Sequence, residues 1–157
     1  MVIAALACLA ALAGYASYLD IRYRRLPNWL CLVCLVAGLA QSWWQGGTAG
    51  LGSAAIHMLI ALAAGMILFR LAIFGGGDAK FYAAIAAWFP IGLALYLLVA
   101  VSVSGLLVLI GWMMTRKRLA RHNDRLRTDP EFRKVPYGVA IAIGALLTFV
   151  STGAPLT

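Results

Sequence analysis

Apolar residues in this chain do not alternate with polar ones. They come in nearly unbroken runs, separated by short clusters of glycine, proline or charge. The runs cover about residues 2–19, 29–45, 52–73, 79–89, 91–114 and 136–150. A helix rises about 1.5 Å per residue, so about 20 apolar residues cross a bilayer core of about 30 Å. The pattern predicts an all-α, polytopic membrane bundle of about six transmembrane segments, forming one membrane-embedded domain over residues 1–157. The fourth run is the exception. Its eleven residues reach only about 17 Å as a helix, so that helix is expected to begin inside the membrane with Asp78 below the interface.

The punctuation between runs supports this division. Pro27 prevents the first segment from continuing as regular helix, and Asn28 is the expected N-cap of the second. Trp43 and Trp44 mark the far interface, followed by the uncharged turn Gly46-Gly-Thr-Ala-Gly50. Pro90-Ile-Gly92 is a second tight turn, and Pro136 opens the last run.

Composition removes the soluble alternative. Of the 157 residues, 64% are hydrophobic and 11% charged, more apolar surface than a soluble domain of this size can hide. The net charge of +8 would suit nucleic acid, but the basic residues are few, clustered and flanked by apolar runs. Anchoring to anionic lipid headgroups accounts for them, and no nucleic-acid module is visible. All 13 lysines and arginines fall in, or within one helical turn of, residues 20–28, 74–80 and 115–135. With those connections cytoplasmic, the expected topology is N-out and C-out. The first run lacks a basic n-region and is followed by Arg22, Arg24 and Arg25, which suits an uncleaved helix.

Against this apolar background, two acidic residues stand out. Asp20 and Asp78 are the acidic side chains of the first 115 residues, each at the edge of an apolar run. Their settings are Asp20-Ile-Arg-Tyr-Arg-Arg-Leu-Pro-Asn28 and Gly75-Gly-Gly-Asp-Ala-Lys80. Carboxylates at a bilayer are costly, and a pair suggests shared-proton chemistry. The expected topology puts both on the cytoplasmic side, with the catalytic center there. Gly75 and Gly77 would let a substrate backbone approach Asp78 closely. The helix N-terminus and Lys80 would favour ionised Asp78, making it the base, while a helix C-terminus would favour protonated Asp20. The arginines after Asp20 oppose that order.

Together these motifs resemble the type IV prepilin peptidase family, membrane aspartic proteases of the Gly-x-Gly-Asp class. A third match is Val135-Pro-Tyr-Gly138 at the start of the last run. The resemblance implies an endopeptidase that removes the basic leader of a prepilin, cutting after a glycine that precedes an apolar helix. It implies Asp20 and Asp78 as the catalytic pair, with Gly75, Gly77, Lys80, Pro27 and Asn28 supporting them, and no cofactor or metal. The short form is similar to the peptidases of tight-adherence (Flp) pili. The paired Cys-x-x-Cys motifs of longer relatives are not found here, so no methyltransferase activity is expected. Archaeal preflagellin peptidases share the two aspartates and stand as an alternative. A proton-coupled transporter and a noncatalytic assembly subunit are the readings from other classes.

The remaining polar residues have simpler roles. His57 is expected to hydrogen-bond between helices, and Gly38, Gly65, Gly92, Gly105 and Gly111 to permit close packing. Trp29, Trp43, Trp44, Trp88 and Trp112 suit interface anchoring. Cys8, Cys31 and Cys34 read as small packing residues. The basic loop 115–135 carries eight basic and three acidic side chains and suits anionic lipid. The oligomeric state leaves no mark in the sequence.

Overall fold

A computed structural model describes residues 2–72, 74–122 and 135–153, with the backbone alone at 116–122. The described residues form helices α1 (Val2–Tyr23), α2 (Asn28–Arg70), α3 (Gly76–Ala86), α4 (Ala94–His122) and α5 (Tyr137–Ser151), with a 3-10 turn at Ile91–Leu93. No strand occurs among them. Three helical stretches are long and apolar enough to cross a membrane: Val2–Tyr23, Asn28–Arg70 and Ile91–Thr115.

α2 is a hairpin rather than one rod. Its 43 residues would extend about 65 Å if straight, twice a bilayer core. Gly47 breaks it with φ 56° and ψ −143°, a conformation open to glycine and costly for other residues. A Cβ on Gly50 would lie 2.5 Å from the Ser42 carbonyl oxygen, so the chain turns back tightly there.

The partners of α3 give the direction of each arm. Along the first arm, Lys80 Nζ donates to Asn28 Oδ1 (3.1 Å) and Trp88 Nε1 to the Cys34 carbonyl (2.9 Å). The two segments therefore run the same way. Along the second arm, Gly65 lies on Ala79, His57 Nδ1 is 3.0 Å from the Phe89 carbonyl, and Ile91 N donates to Ser53 Oγ (3.0 Å). That arm runs the opposite way, so both ends of α2 lie at the Asp78 end of α3.

Though short, α3 is the centre of this half. Phe81, Ile85, Trp88 and Phe89 are fully buried, with Leu30 and Cys34 in the same core. The approach depends on small residues. A Cβ on Gly38 would lie 2.5 Å from the Trp88 ring, and one on Gly65 would lie 3.0 Å from Ala79 Cβ. These two glycines and His57 therefore do what the sequence suggests. Gly92 and Gly111 do not: no neighbouring atom lies within 4 Å of a Cβ built on either. Trp88 also departs from expectation. It is 1% exposed, a core residue rather than an interface anchor, because its indole N–H reaches a carbonyl in the first arm.

In the other half, α5 lies between α1 and α4. A Cβ on Gly144 would sit 2.6 Å from Val101, and Tyr96 Oη donates to Ser151 Oγ at 2.9 Å, so α4 and α5 run antiparallel.

Several expected boundaries move. The connection 20–28 is helical through Tyr23, because the apolar face of α1 extends to Asp20 and Arg24 N still donates to the Asp20 carbonyl (3.0 Å). Arg24 then takes φ 54° and ends the helix in left-handed geometry. Asn28 is not the N-cap. Pro27 occupies that position with no side-chain cap, and Asn28 instead accepts from Lys80. Residues 76–80 of the expected loop 74–80 form the first turn of α3. α4 continues into the basic loop as far as His122, and residues 123–134 of that loop lie outside the described residues.

Candidate active site

The last turn of α1 carries Asp20, and the first turn of α3 carries Asp78. Both line one cavity of about 1030 Å³, room for an extended peptide and water. The cavity draws on chain ends gathered at this side of the bundle: Leu19, Asp20 and residues 23–28, Phe69, Ala72 and residues 74–78, and Val135 with Tyr137.

Asp20 is 7% exposed. Its Oδ2 accepts the backbone N–H of Gly138 at 2.8 Å, across 118 residues of sequence. Glycine is needed at 138 because a Cβ there would lie 2.9 Å from Oδ2 and 3.1 Å from Cγ. The carboxylate thus rests directly on the backbone that opens α5. Arg24, one turn on, is within Coulombic reach of Asp20, and its guanidinium lies 4.7 Å above the Trp112 ring of α4.

Asp78 is partly buried, in an α3 too short to span. Burial, and secondarily the charge of Asp20, push its carboxyl from 3.8 up to about 7. This is opposite to the expectation for Asp78. Lys80, two residues on, donates its hydrogen bond to Asn28 Oδ1, and burial of Asp78 dominates its shift. The Gly-rich segment is fitted to the carboxylate. A Cβ on Gly75 would lie 2.5 Å from Asp78 Oδ2, and one on Gly76 would lie 3.2 Å from the Phe69 ring. Gly77 is less confined, since its Cβ would make an ordinary 3.6 Å contact with Leu26.

Of the residues singled out in the sequence, Asp20, Pro27, Asn28, Gly75, Gly77 and Asp78 all line the cavity. Lys80 stands just outside it, bonded to Asn28. Sequence reasoning assigned no role to Gly138, although the Pro-Tyr-Gly motif marked the position. It also missed the aromatic wall of Phe74 and Tyr137, whose rings are 5.6 Å apart. Two non-glycine residues with positive φ, Arg24 and Ala72 (φ 56°), both line the cavity. Such strain of about 1–3 kcal/mol each tends to collect at functional sites. Among the described residues no cluster of three or more His, Cys, Asp or Glu could hold a metal ion.

The arrangement sets two carboxyl groups in one cavity, Asp20 on a backbone donor and Asp78 raised to near neutrality, a pairing of the kind that general acid and base chemistry uses. No curated protein and no solved structure matches the chain. The model of the type IV leader peptidase family matches residues 7–110, which include both aspartates and the whole of α2 and α3. With that match over most of its length and this cavity at its centre, the chain belongs to the type IV leader peptidase family.

Proposed function

We propose that this chain is a membrane aspartic endopeptidase that removes the leader of a Flp-type prepilin, cutting after a glycine at the cytoplasmic face. One observation carries the reading: two carboxylates from separate helices line a single cavity beside a glycine-rich segment. In this scheme Asp20 is the base and Asp78 the acid. Asp20 takes a proton from water as its oxygen attacks the scissile carbonyl carbon, and Asp78 protonates the carbonyl oxygen. The resulting gem-diol collapses: Asp20 returns its proton to the leaving nitrogen, the C–N bond breaks, and a diol proton restores Asp78. The products are a carboxylic acid and an amine, and the dyad ends as it began. Gly138 holds the base, and Arg24 stabilises its charge. Both termini lie outside in this reading, which places the cavity with the basic residues at the cytoplasmic surface of a prokaryotic inner membrane.

Co-expression with a Flp-type prepilin tests it, with leader removal followed by gel mobility. Wild type is expected to cleave, and Asp20→Ala and Asp78→Ala to lose cleavage at unchanged abundance in the membrane. Cleavage that persists without either carboxylate rules out the dyad.

A further inference from the structure

Beside the catalytic cavity lies a second depression of about 380 Å³, between the two arms of α2 and the flank of α3. Its walls are Cys31 and Leu35 from the first arm and Met58 and Leu62 from the second. Its floor is Ala83 and Ala84, where α3 presents only methyl groups. The groove is therefore apolar along its length and shaped by the absence of large side chains on α3. Leu32, on its rim, is 58% exposed, so the groove opens sideways from the hairpin.

At one end the lining turns polar. Asn28 and Lys80 stand there, joined by their 3.1 Å hydrogen bond. Asn28 belongs to both spaces, lining the groove on one side and the cavity of Asp20 and Asp78 on the other. The two spaces therefore adjoin at one side-chain amide. A peptide bond at the carboxylates would have an apolar groove beginning beside it, along the hairpin.

We propose that this groove seats the apolar segment of the substrate that follows the scissile bond, an assignment that rests on the peptidase reading above. The shared Asn28, which sets the polar end of the groove against the cavity of the carboxylates, favours this occupant over a lipid chain. Apolar contact along the arms supplies affinity, and the Asn28–Lys80 pair marks where the chain passes from cavity to groove.

The test is photo-crosslinking in membranes carrying the full chain with Asp78→Ala, so that bound prepilin is not consumed. The photo-reactive residue p-benzoylphenylalanine replaces Leu35 in one sample. In the control it replaces Val36, which is 58% exposed and does not line the groove. Crosslinks to the prepilin's apolar helix from position 35 and not from 36 are expected. A bulky variant in the otherwise wild-type chain provides a second measurement. Leu62→Trp narrows the groove and should raise KM roughly tenfold with kcat little changed, the scale of a lost apolar subsite. Crosslinking only to lipid, or equally from both positions, together with an unchanged KM, overturns the groove assignment while wild-type cleavage leaves the peptidase reading intact. A wild-type chain that does not cleave overturns both.

Discussion

At the scale of single residues, the site is governed by how closely backbone approaches carboxylate. Gly138→Ala would push a methyl group into Asp20 and displace its carboxylate. We expect cleavage to fall by about 10²-fold or more, the range for a lost acid–base group, with the protein still in the membrane. Gly75→Ala should do the same to Asp78, whereas Gly77→Ala, which meets only Leu26 at 3.6 Å, should be the milder of the two in the same cleavage assay. Asp78 also sets a pH dependence. If it must donate a proton, activity should fall about tenfold per pH unit above pH 7, measured as initial rates of leader removal. Its stability effect has a definite sign. A carboxyl whose folded pKa is raised holds more protons folded than unfolded, so its contribution declines as pH rises from 3.8 to about 7. Asp78→Asn should remove that decline. Thermal unfolding in detergent should then show the variant matching wild type at pH 3.5 and exceeding it at pH 8.

At the scale of elements, α3 decides the outcome. It is too short to cross a bilayer, so it holds its position through the hairpin around it. Trp88 is the main fixing point, packed on Gly38 and donating to the Cys34 carbonyl. Trp88→Ala should cost about 3–5 kcal/mol and lower the amount of folded protein recovered from membranes, while Trp88→Phe should cost less by keeping most of the ring. Because α3 carries Asp78 at its first turn, any shift of this packing is transmitted to that carboxyl. The break at Gly47 is equally structural. It converts one 43-residue helix into two arms that reach α3 from opposite directions.

At the scale of the whole molecule, the chemistry collects at one end. The close of α1, both ends of α2 and the openings of α3 and α5 all border the cavity. The proposed orientation places this end in the cytoplasm and Gly47 outside. Cysteines introduced at Arg25 and at Gln45 test it by labelling with a membrane-impermeant thiol reagent in intact cells. Gln45→Cys should label from outside and Arg25→Cys only after the membrane is opened, and the reverse pattern would invert the topology.

The sequence by itself determined that the chain is helical, with runs apolar enough to cross a membrane, and that two carboxylates stand at the edges of those runs. Those properties follow from local composition: apolar run length, the position of Gly and Pro, and the cost of charge in an apolar setting. The pairing of Asp20 with the Gly138 amide could not be read locally, because a hydrogen bond across 118 residues leaves no periodic signal. Nor could the direction of Lys80. Two residues from Asp78 in sequence, it faces Asn28 because α2 brings that amide within 3.1 Å. The tertiary structure therefore decided what each carboxylate faces: Asp20 the Gly138 amide, Asp78 the glycine-rich segment that buries it. Burial and backbone donors exist only once α1, α3 and α5 have packed.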